Sequence, residues 1–167
     1  MMDNTKKKPP IPLPRYSTCF VCGKENMHGL DITFWYKNGR IETSFTPREH
    51  HAGYHRLTHG GLLATLLDEC MGWSGILSRP ILCKSVELTI RYKSSAWIGE
   101  PYIIQGNLQA DKKRLLLTQG TIENEEGTLI CTAKGKYIPM SKEEIDAFQH
   151  QAGWGNTLQT IYNQIHA

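Results

Sequence analysis

No stretch of this 167-residue chain stays apolar long enough to span a membrane. The first segment, MMDNTKKKPPIPLP, is basic and proline-rich, but no apolar signal core follows its lysines. Strong charge bias is missing too. Nineteen Lys and Arg against sixteen Asp and Glu leave a formal net charge of +3, and Lys6, Lys7 and Lys8 lie in the tail. That balance argues against a nucleic-acid surface. There is no internal repeat. The cysteines are five, so they cannot all pair within the chain, and two lie in segments that read as buried helix or strand. Together these absences predict a cytoplasmic protein with reduced thiols and no membrane span.

What is present fits one globular domain. Hydrophobic content of 40% and charged content of 21% are enough for a real core. Residues 1–14 read as a flexible arm, 15–140 as the main domain and 141–167 as a helical extension. LDITFWY alternates Leu30, Ile32, Phe34 and Tyr36 against the other face, and KNG turns it into RIETSF, a hairpin. TPREHHAGYHRL, broken by Pro47 and Gly53, reads as a loop. SVELTIRYK, GEPYIIQGNLQA, RLLLTQGTIE and TLICTAKGKYI follow as four more strands. No helical pattern separates those four, so the sheet is predicted to be antiparallel. Ser141 with Glu144 three residues on is a capping box, which opens a C-terminal helix.

Between the two sets of strands lies THGGLLATLLDECMGW. Leu62, Leu63, Leu66, Leu67, Met71 and Trp73 recur at three- and four-residue spacing, and the pattern predicts a helix from about Thr58 to Ser78, ended by Pro80. Asp68 and Glu69 sit in the middle of this apolar helix, where a carboxylate is costly unless paired or used. Two strands, one long helix and four strands make an α+β fold: a six-stranded antiparallel sheet wrapped around a central helix, the hotdog architecture.

HGGLLATLLDECMGW resembles the helix motif of the PaaI-like hotdog thioesterases. SVELTIRY is similar to their following strand, GEP to the next strand's entry, and CFVCGKENMHGL to an N-terminal motif of one branch. The resemblance runs from about residue 18 to 140. It implies an acyl-CoA thioesterase that needs no metal or redox cofactor, with coenzyme A as part of the substrate and product. It assigns the catalytic acid nine residues past His59, at Asp68, acting as base or nucleophile. It also implies that His59 supports the oxyanion loop and that Ser85 orients water or substrate. The helix N-terminus suits an oxyanion, with Gly60 supplying a free N–H and Gly61 open space beside it.

Gly60 and Asp68 are eight residues apart, about 12 Å along a helix axis. Donor and base must each come within about 3 Å of the reacting group. One chain cannot meet both conditions. Two antiparallel helices from two chains can, so a homodimer or a dimer of dimers is expected, as the resemblance also implies. Glu69 lies about 100° further round the helix and is expected to face elsewhere.

Some relatives carry an asparagine six residues before the histidine. Gly53 stands there in this chain, and His51, beside His50 and His55, is the candidate replacement. Tyr54 is expected in the pocket wall with Met71 and Trp73. Arg91 and Lys93, with Lys112, Lys113 and Arg114, are candidates for the phosphates of coenzyme A. Cys19-x-x-Cys22 has no second such pair to complete a zinc set, and no metal is predicted there or at His51, His55 and His59. Three alternatives stay open: Asp68 as a paired structural acid, a non-catalytic acyl-CoA sensor, and a hotdog dehydratase.

Overall fold

A computed structural model describes residues 9–149 and 154–167. The expected Lys6–Lys8 segment of the arm lies outside them. The strands are β1 (Ile11–Pro12), β2 (Trp35–Lys37), β3 (Arg40–Phe45), β4 (Ala52–Tyr54), β5 (Leu57–Thr58), β6 (Cys83–Tyr92), β7 (Tyr102–Asp111), β8 (Leu116–Asn124) and β9 (Leu129–Pro139). The helices are α1 (Gly60–Ile76), α2 (Lys142–Gln149) and α3 (Trp154–His166). Seven strands form one sheet in the order β1-β2-β3-β7-β8-β9-β6, while β4 and β5 form a separate small hairpin. Every pairing in the sheet is antiparallel. This is the hotdog architecture that the element order predicts.

The predicted six strands are all there, and β1 adds a short seventh at the edge. Ile11 and Pro12 pair with Tyr36 and Trp35, and Leu13 is buried, so the end of the expected arm is packed onto the domain. LDITFWY is a strand only at its end. Asp31 has a φ of 54°, which interrupts the ladder. Leu30 and Ile32 bond instead to the carbonyls of Phe20 and Val21 in the N-terminal loop. The alternation survives, with Ile32 and Phe34 buried. The KNG turn places Asn38 and Gly39 at φ 52° and 82°, the left-handed pair that a two-residue hairpin requires.

The helix is buried because its apolar residues surround most of its girth: Leu63, Leu66, Leu67, Cys70, Met71 and Trp73 are all shielded from water. It lies directly on the sheet over a row of small residues. Gly106 pairs with Gly120, and Gly120 with Ala133. A Cβ at Gly106 would fall 2.7 Å from the Cys70 carbonyl oxygen, and one at Gly120 2.9 Å from Leu67 Cδ2. The missing side chains set the depth of the helix, and that depth sets where Asp68 sits. The capping box forms as predicted. Ser141 N–H donates to Glu144 Oε2 at 2.8 Å, and Glu144 N–H to Ser141 Oγ at 3.2 Å. Leu158, Ile161 and Ile165 of α3 complete the core.

Candidate active site

α1 starts at a built turn. His59 is the N-cap, and its Nδ1 accepts the Gly61 N–H at 2.9 Å. An accepting Nδ1 places the imidazole proton on Nε2 in the neutral ring. The β4–β5 hairpin brings His51 back to this point, where its carbonyl accepts the His59 N–H at 2.9 Å. Gly61 is therefore spent on the cap. The Gly60 N–H has no hydrogen bond among the described residues. The Gly60 carbonyl accepts the Tyr92 hydroxyl at 2.8 Å, and a Cβ at Gly60 would meet the Tyr92 ring at 3.3 Å.

Two turns along, Asp68 lines a cavity of about 300 Å³ with Tyr16, Glu69, Trp73, Ser85 and Tyr137. Tyr137 Oη lies 2.8 Å from Asp68 Oδ1 and 2.9 Å from the Asp68 carbonyl, so the phenol donates along the helix edge and fixes the carboxyl. Burial raises the Asp68 pKa above the ordinary aspartate value, while hydrogen bonds from Tyr137 and Ser85 oppose the rise. Burial and the facing carboxylate raise the Tyr137 phenol well above its usual range, so it stays a donor.

Glu69 corrects the expectation from helix geometry. It lines the same cavity as Asp68. The reason is the N-terminal loop, which folds across the helix and makes a second wall through Tyr16, Cys19 and Cys22. A residue 100° away still faces a cavity that wraps around the helix. Burial lifts Glu69 to about 7, and the neighbouring Cys19 adds to the rise, against hydrogen bonds from Cys22 and Trp73.

The remaining candidates divide among other places. His59, Gly61 and His51 line a cavity of about 640 Å³ with His28 and His50. His51 Nδ1 accepts the Arg48 N–H at 2.9 Å, so that nitrogen is occupied. Gly60 and Lys93 share a third cavity of about 430 Å³. Tyr54 is 81% exposed on β4, and Arg91 lies in a groove with Gln109, Gln119 and Lys134. Neither lines the three cavities around α1. Within one chain, then, the acid and the helix start open on different cavities. Sequence reading overlooked Tyr137, because nothing in TLICTAKGKYI marks one tyrosine as a partner for a carboxyl 69 residues away.

The thioesterase superfamily model matches residues 55–131, from the histidine loop through β6 to β9. Over that stretch the chain is similar to the thioesterase superfamily, and the fold around it is a hotdog. A Streptococcus mutans protein bound to acetyl-CoA superposes with a TM-score of 0.60 at 20% identity, over 64% of this chain and 86% of that one. Zebrafish thioesterase superfamily member 2 gives 0.62 at 22% identity, over 69% and 89%. The Escherichia coli PaaI protein of the phenylacetic acid degradation operon gives 0.62 at 18% identity, over 67% and 81%. At these identities the likeness is one of fold. No curated protein sequence matches the chain. No helix among the described residues is long and apolar enough to cross a membrane.

Proposed function

We propose that the protein is an acyl-CoA thioesterase whose sites are shared between two protomers, in a homodimer or a dimer of dimers, in the cytoplasm. The observation that carries this reading is Asp68: a half-buried carboxyl at a cavity wall, held by Tyr137 and Ser85, on a helix whose start leaves the Gly60 N–H without a partner among the described residues. The helix is unbroken between them, so about 12 Å separates acid from donor within one chain. An antiparallel second copy of α1 brings the partner's helix start to Asp68. The structural neighbours bound to acetyl-CoA and to coenzyme A support the ligand class.

In the hydrolysis, Asp68 takes a proton from water as the oxygen attacks the thioester carbon. The partner's Gly60 N–H receives the developing oxyanion, at the positive end of the helix. The carbonyl re-forms, the C–S bond breaks, and the coenzyme A thiolate takes up the proton. With Asp68 as nucleophile the same residues act, and the attack gives an acyl-aspartate anhydride that water then opens. His59 holds the oxyanion loop through its cap, and Ser85 orients the carboxyl. Neither route requires a metal or redox cofactor for the bond-breaking step.

The test is turnover against short, long and aromatic acyl-CoAs, read as release of free thiol. Hydrolysis by the native chain and its loss in Asp68→Asn support the enzyme. Acyl-CoA that binds without hydrolysis by the native chain replaces it with a sensor. Water elimination from a hydroxyacyl-CoA, with no thiol release, replaces it with a dehydratase.

A further inference from the structure

In the wall of the Asp68 cavity, three donor groups converge that the thioesterase reading does not use. Cys19 Sγ, Cys22 Sγ and a Glu69 carboxylate oxygen all lie within 4.8 Å of one another. Cys19 Sγ is 4.0 Å from Glu69 Oε1. A tetrahedral zinc ion, with bonds of about 2.3 Å to sulfur and about 2.1 Å to oxygen, sets such donors about 3.6 Å apart, so side-chain closure of about an ångström or less completes the set. The sequence shows only half a cysteine set, which predicts no metal. The fold supplies the third donor from α1.

The loop geometry is that of a ligand turn rather than of two incidental thiols. Cys19 Sγ accepts the N–H groups of Val21 at 3.3 Å and Cys22 at 3.4 Å. Two aligned N–H dipoles on one sulfur stabilise a thiolate, the form that binds a metal. The turn closes with Gly23 N–H on the Cys19 carbonyl at 2.9 Å. Only glycine fits at 23, because a Cβ there would lie 2.5 Å from the Ser17 carbonyl oxygen. Both cysteines are free thiols in the structure, and Cys22 is buried. Glu69 is pressed against both cysteines and takes hydrogen bonds from Cys22 and Trp73, so its carboxylate is held facing the two sulfurs.

We propose that Cys19, Cys22 and Glu69 form a binding site for a thiophilic divalent cation of the zinc class. It clamps the N-terminal loop onto α1, and its fourth position opens on the cavity, where water completes the shell. The donor set is soft sulfur plus one carboxylate, which favours zinc over calcium or magnesium. The clamp is independent of whether the protein hydrolyses thioesters.

The experiment uses the full chain, reduced, loaded with zinc and dialysed, with metal measured by elemental analysis. The expected result is one zinc per chain. Cobalt substitution should give a thiolate-to-cobalt charge-transfer absorption, which reads sulfur ligation in the native protein without any variant. Cys22→Ser and Glu69→Gln should lose stoichiometric metal. Asp68→Asn and Cys83→Ala, on the same cavity but outside the donor set, should keep it. Glu69→Gln is near-isosteric, so its loss of metal with an unchanged circular dichroism spectrum marks ligation rather than unfolding. A native chain that retains no zinc or cobalt, or a Cys19–Cys22 disulfide as the stable form in the presence of zinc, overturns the site. So does equal zinc in the native, Cys22→Ser and Glu69→Gln chains.

Discussion

A carboxyl on a buried helix is held by what reaches it. Asp68 is fixed by the Tyr137 hydroxyl at 2.8 Å, and burial and hydrogen bonding pull its acidity in opposite directions. Asp68→Asn keeps shape and removes the base. A positioned base contributes about 10²–10⁴-fold, so kcat for acyl-CoA hydrolysis should fall at least about 10²-fold, with KM little changed. Steady-state thiol release measures it, and a native kcat in Asp68→Asn ends the assignment. Tyr137→Phe keeps the ring and deletes one hydrogen bond to a carboxylate, a loss of about 1.5 kcal/mol, or about tenfold in kcat if the bond orients the attack. The two variants separate the reacting group from the group that aims it: Tyr137→Phe should slow turnover without abolishing it.

Elements meet where side chains are missing. The row Ile41, Gly106, Gly120, Ala133 and Ile90 runs across β3, β7, β8, β9 and β6, and α1 rests on its small centre. Gly106→Ala puts a methyl group against helix backbone that cannot rotate away, so it should cost about 1–3 kcal/mol, read as a lower denaturant midpoint at constant slope. Glu42 ties β3 to β7. Burial raises its pKa, but hydrogen bonds from Lys37 at 2.6 Å and Gln105 at 2.9 Å win, and the carboxyl ends below its ordinary value. A depressed folded-state pKa stabilises above the unfolded value, and that stability is lost as pH falls through the folded one. Glu42→Gln should therefore lower Tm at neutral pH and narrow the gap from native as pH drops through about 4. A gap that stays constant with pH would contradict the tie. The strands and α1 were legible because periods of two and 3.6 are local. The glycine row was not, since Gly106 and Gly120 mean something only once registered beside each other. Asp68 was legible as an anomaly in an apolar helix. Tyr137 and the Glu69–cysteine cluster were not, because their partners come from β9 and from a loop 50 residues away.

The whole molecule is where the proposed site is complete or incomplete. Asp68 and Gly60 open on different cavities of one chain, about 12 Å apart on an unbroken helix. A symmetric dimer would pair each Asp68 with the other protomer's helix start. Complementation decides it. Gly60→Pro deletes the N–H that would hold the oxyanion, and proline is well tolerated at the first helical position. The residue it approaches is the Tyr92 ring at 3.3 Å, a side chain that can shift. Alone, Asp68→Asn and Gly60→Pro should each be inactive as homodimers. In a heterodimer of the two, one site joins both lesions, and the other joins an intact Asp68 to an intact Gly60. A random equal mixture, refolded together so that chains exchange, should recover about one quarter of native activity, because half the dimers are mixed and each has one working site. Sedimentation run alongside should show the active species as a dimer or larger. No recovery in mixtures shown to contain heterodimers would place acid and donor in the same chain.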